Sequence, residues 1–215
     1  MTTLRPAHGL RDRPLAAAVA GSVAVVVAGC AAQLVNYASD LGMAVLDSSD
    51  DGGAFGIVGD LAAVSAAAAA WFVLARVRPV RPAAVALPPL LTFVALDKII
   101  RLHDHVPHYM VFYAPLLVAT AACLVDLVRR MPRSRARVVV AGLVLLGVSF
   151  LLHAVGERAL LELGLSDSGW ARQVKAVVKH GCEVQGWFLV SIGLAFHAVH
   201  AFNGERVPRR WTRRR

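Results

Sequence analysis

The sequence lacks most of the signals by which a soluble protein announces its chemistry. Its three cysteines, Cys30, Cys123 and Cys182, form no Cys-x-x-Cys pair and fall in three separate apolar stretches, so they define neither a disulfide framework nor a redox compartment. Charged residues are only 17% of the chain against 57% hydrophobic, and mean hydropathy is +0.59, which excludes an ordinary soluble domain. No internal repeat is evident. The acidic run Asp47 to Gly53 lacks the ligand spacing and terminal glutamate of a helix-loop-helix calcium site, and reads as a solvated loop.

What is present is a series of long apolar runs. Six spans are expected, at about 15–37, 56–77, 83–103, 109–129, 136–158 and 174–201, each near the ~20 residues that a hydrocarbon core requires. The expected fold is therefore all-α, a polytopic transmembrane helix bundle. A single helical domain, residues 15–203, lies between basic tails at 1–14 and 204–215.

The formal net charge of +9 could point to nucleic acid, but the positions of the basic residues argue otherwise. With both termini in the cytoplasm, most of the 23 lysines and arginines lie on the inner side, in the two tails, in Arg76 to Arg81 and in Arg129 to Arg137. The outer loops are then net acidic. This is the positive-inside pattern, so the basic charge sets topology and meets membrane lipids; no nucleic-acid partner is expected.

Several local features have structural readings. Val27-Ala28-Gly29-Cys30 resembles a lipoprotein cleavage box, yet the apolar run continues through Tyr37, which favours an uncleaved first helix. The alanines 66–70 before Trp71 suit a close-packed helix with an interfacial aromatic anchor. Pro88-Pro89 falls inside the third span and is expected to kink it. Asp126 beside Arg129 and Arg130 suits an interfacial ion pair. His197 and His200 share a helical face near the inner end and read as packing or headgroup contacts.

The remaining polar residues gather toward one end. The third and fifth spans run outward and the sixth inward, so at ~1.5 Å per residue Asp97, His153 and Glu183 should lie roughly 8–10 Å below the outer surface. His103, Asp104, Glu157 and His180 are shallower. Gln33, Asn36 and Asp60 of the first two spans, with Arg101 and Lys179, could surround them. Ionisable groups in spans mark functional sites by default.

His153 with Glu157 and His180 with Glu183 share helical faces, spacings that let one helix offer a nitrogen and an oxygen ligand to a metal. Mixed imidazole and carboxylate ligands would suit zinc or iron. The competing reading is ion pairing, with Asp97 to Arg101 and Lys179 to Glu183 both i,i+4 pairs of opposite charge.

Asp97-x5-His103-Asp104, followed by an acidic and histidine-bearing helix and then Glu183-x-x-Gly186-Trp187, resembles a broad set of uncharacterised bacterial six-helix membrane proteins. That resemblance covers about Leu96 to Trp187 and implies a location in the bacterial inner (plasma) membrane. Ser149-x-x-x-His153 also resembles the Ser/His arrangement of the CREST membrane hydrolases, which include the alkaline ceramidases and use zinc. The late histidine pair of that family is matched here by His197-x-x-His200, differently spaced.

The leading expectation is a multi-pass membrane protein with an outer-leaflet pocket in which some subset of Asp97, His103, Asp104, His153, Glu157, His180 and Glu183 holds a zinc or iron ion. A metal-bound water would then act on a lipid-like substrate. The alternative is a non-catalytic protein, either a proton- or cation-coupled transporter or an assembly partner held by intramembrane ion pairs. The inner halves of the later spans are almost wholly apolar, which argues against a path through one subunit but leaves a pore between subunits of an oligomer open.

Overall fold

The computed structural model describes residues 13–46, 53–106, 109–162 and 169–202. These form an all-helical bundle: α1 (Arg13–Ala38), α2 (Ala54–Arg76), α3 (Pro82–Ile100), the single turn α4 (Leu102–His105), α5 (Tyr109–Val128), α6 (Arg133–Glu162) and α7 (Gly169–Phe202), with a 3₁₀ turn at Ala44–Leu46. No strand occurs among the described residues. Five of the helices, α1, α2, α3, α6 and α7, are long and apolar enough to cross a membrane, while the apolar part of α5, Tyr113–Val128, is shorter. At ~1.5 Å per residue the 23 residues of α2 reach about 34 Å, enough for the ~30 Å hydrocarbon layer.

The long helices follow the apolar runs, but their ends obey local chemistry. Pro82 opens α3 after an extended Arg81, because proline's missing N–H costs nothing in a first turn. Pro88 and Pro89 are accommodated within the helix. Its other end comes three residues before the expected position, where Arg101 takes a left-handed conformation (φ 54°) and its N–H bonds the Asp97 carbonyl at 2.7 Å. The chain then restarts as α4. His103 and Asp104 thus leave the axis of Asp97.

The bundle is organised on α7, which packs against α6, α2 and α1, while α3 packs on α2 and α5. Lipid is as apolar as leucine, so burial alone does not join helices in a bilayer; small residues that allow close approach do. Ala62, Ala63, Ala66, Ala67, Ala69 and Ala70 of α2 are all buried, together with Leu87 and Leu91 of α3, Val139 of α6, and Val190, Leu194 and Ala198 of α7. On the α6 side, a Cβ on Gly142 would stand 2.7 Å from the Gly186 carbonyl oxygen. Gly186 and Trp187 of the Glu183-x-x-Gly186-Trp187 segment are therefore packing residues, the second buried in the core.

Candidate functional site: a charge cluster across four helices

The last turns of α3 bring two ionisable groups to opposite neighbours. Asp97 is buried, 4% exposed, and lies beside the Tyr113 hydroxyl of α5. Lys98, the next residue, is rotated by ~100° and reaches α7, where its Nζ donates to Glu183 Oε1 at 2.6 Å. Both side chains of this pair are 23% exposed.

The other carboxylate oxygen faces a second partner. His180, one turn earlier on α7, places Nδ1 3.9 Å from Glu183 Oε2. Asp60 of α2 lies within electrostatic reach of both Lys98 and Glu183. His153 of α6 stands in similar reach of His180, and Lys179 borders both His180 and Glu183. Carboxylates, imidazoles and ammonium groups from α2, α3, α6 and α7 thus lie within electrostatic reach of the Lys98–Glu183 pair or of His180 at one end of the bundle.

Not every expected site residue joins this group. Gln33 of α1 is buried and its Nε2 donates to Gln173 Oε1 at 2.9 Å. Asn36 clamps the following loop, donating to the Met43 carbonyl at 3.1 Å and accepting from the Met43 N–H at 3.0 Å. Arg101 caps α3. The side chains of His103, Asp104 and Glu157 lie outside the described part of the structure. Among the described residues, no three His, Cys, Asp or Glu side chains stand together as a set able to hold a metal ion.

Lys98 is the member that sequence reasoning passed over. Lys179, four residues before Glu183, offered a local counter-ion, whereas Lys98 is 85 residues away. A lone lysine in the last turn of an apolar helix was the available signal, because such a charge requires a partner.

The opposite end of the bundle differs. His197 is buried there beside Arg135 of α6, and His200 Nδ1 meets the Phe196 carbonyl at 2.9 Å. His197 is 17 residues beyond His180, about 25 Å along α7, so the two histidine groups cannot serve one ion.

A domain of unknown function, DUF8692, matches residues 15–198. The chain belongs to the DUF8692 family. The match contains every residue of the charge cluster, so the cluster lies wholly within the DUF8692 domain. No curated protein and no solved structure matches the chain.

Proposed function

We propose that this DUF8692 protein is a non-catalytic integral membrane protein, with both termini cytoplasmic, whose outward end carries a one-sided proton-handling site centred on Lys98 and Glu183. The observation that carries this reading is the 2.6 Å contact between Lys98 Nζ and Glu183 Oε1. Asp60 lies on one side of the pair and His180 on the other, with His153 beyond. Groups that can gain or lose a proton thus influence the pair or its His180 neighbour from four helices. Protonating any of them changes the charge that holds α7 against α3.

Two considerations favour this over a metal-dependent hydrolase. A zinc or iron ion on Glu183 would have to displace the lysine already bonded to it, exchanging a strong charge-assisted bond for coordination. The alanine- and leucine-rich core also closes the site toward the other membrane face, which supports proton uptake from one side rather than conduction.

The test is infrared titration of carboxyl groups in the protein reconstituted in lipid, with metal content measured on the same sample. A carboxyl band that appears on acidification, and is lost in Asp60→Asn or Glu183→Gln, is expected, without stoichiometric metal. Near-stoichiometric zinc or iron that vanishes in Glu183→Gln would overturn the proposal in favour of a metal site. Lys98→Met alone should lower stability by about 1–3 kcal/mol, because it removes the nearest counter-ion of Glu183, and Lys98→Met/Glu183→Leu should recover most of that loss.

A further inference from the structure

At the end of the bundle that carries His197, the helices do not finish level. Gly59 of α2 abuts Val184 of α7, and Gly142 of α6 abuts Gly186 of α7. From the first contact α2 runs about 25 Å to Arg76 and α7 about 27 Å to Phe202, so these two end nearly together. From the second, α7 has about 24 Å still to run, whereas α6 has only about 14 Å to its start at Arg133. Helix α6 therefore begins about 10 Å inside the plane of its neighbours' ends. The link before it is drawn in as well, with Met131 buried in the core.

The recessed start of α6 turns two cations outward. Arg133 and Arg137 are both exposed and four residues apart, so they share one face with their Cβ atoms about 6 Å apart. With Ala136, Val140 and Ala141 they line an open groove of about 360 Å³. The same face continues as the exposed Val144 and Val148, the lipid side of a helix apolar enough to cross a membrane from Arg133 to Ala154. Arg137 thus stands one turn inside that span.

No protein anion answers this charge. Among the described residues, neither guanidinium has a hydrogen-bond or ion-pair partner. The first turn of α6 holds no acidic residue, and Asp126, at the adjoining end of α5, is engaged by Arg130. A cation facing lipid without a counter-ion costs free energy. At a bilayer surface the phosphate of a lipid headgroup is the anion within reach.

We propose that this groove binds one anionic phospholipid, its phosphate held between Arg133 and Arg137 and the start of an acyl chain laid over Ala136, Val140 and Ala141. Guanidinium groups fork onto phosphate oxygens, and basic pockets beside transmembrane helices take anionic headgroups. A headgroup with its own ammonium would bring that cation against the arginines, so phosphatidylglycerol is favoured over phosphatidylcholine. The site is more than the general basic bias of this end, because it rests on two residues of one helical face. It depends on the helices spanning a membrane, and not on the proton-handling site.

The test is native mass spectrometry of the full chain in detergent, titrated with phosphatidylglycerol and, separately, with phosphatidylcholine. One phosphatidylglycerol should bind about tenfold more tightly than phosphatidylcholine. Arg133→Gln/Arg137→Gln, at exposed positions where substitution scarcely disturbs a fold, should erase that preference. Arg137→Gln alone should weaken phosphatidylglycerol by about fivefold. Arg81→Gln/Arg129→Gln removes as much charge from the same end of the bundle and should leave the preference unchanged.

Equal binding of the two lipids, or a preference that survives in both Arg137→Gln and the double variant, would overturn the proposal. So would an equal loss in Arg81→Gln/Arg129→Gln, which would mean diffuse attraction rather than a site. Displacement of bound phosphatidylglycerol by inorganic phosphate would overturn it in favour of a soluble anion.

Discussion

Helix α7 is joined to two of its neighbours, α6 and α1, by opposite means. Toward α6 it presents Gly186 and Gly193, and backbones approach so closely that a Cβ on Gly142 would meet the Gly186 carbonyl. Toward α1 it presents polar side chains: Gln185 Nε2 donates to Ser22 Oγ at 3.0 Å, Gln173 accepts from Gln33 at 2.9 Å, and Cys30 Sγ lies 3.8 Å from the Val177 carbonyl. Gln185 and Gly186 are neighbours in sequence yet serve different seams, because ~100° of helical rotation separates them. One seam relies on the absence of side chains and the other on hydrogen bonds between them. These are the two means of association available where lipid supplies no hydrophobic driving force.

The seams should respond differently to substitution. Gly142→Val should have the largest effect, since the obstructing atom is a backbone oxygen that cannot rotate away; a loss of about 3 kcal/mol or more is expected from overpacking. Thermal unfolding of the detergent-solubilised protein measures it, and a near-neutral result would break the close-packing account of α6 and α7. Gln185→Leu removes a buried interhelical hydrogen bond and should cost far less, about 0.6 kcal/mol by the average for such bonds in membranes. A cost matching that of Gly142→Val would mean that the α1 seam, too, depends on shape.

Asp126→Asn sharpens the scale from below. Its carboxylate meets Arg130 Nη2 at 3.2 Å in an exposed i,i+4 pair, a class of contact that contributes about 0.3–0.5 kcal/mol. The change should scarcely move the unfolding midpoint, and high salt should erase what remains. A large loss would show that this end of α5 is not in contact with water.

Much of this was legible from residue order because it depends on local composition. The expected spans at 15–37 and 56–77 became Arg13–Ala38 and Ala54–Arg76, since a sustained apolar run has no better conformation in lipid than a helix. The pairing of His180 with Glu183 was legible for a similar reason: residues three apart on a helix are neighbours whatever the rest of the chain does. The partner of Lys98 was not, because nothing local distinguishes Glu183 from any other distant carboxylate. Nor was the break at Arg101, where one residue in a left-handed conformation redirects His103 and Asp104.

Residue order alone is enough to establish a helical membrane protein, where its helices lie and which end of the bundle is rich in ionisable groups, since transfer to lipid and helical periodicity act residue by residue. Which of those groups meet follows from how the helices pack. That packing set Lys98 on Glu183, turned Asn36 toward Met43 and joined Gln33 to Gln173. Such outcomes depend on how closely glycine and alanine faces let the helices approach, and that distance is a property of the packed bundle rather than of any one segment.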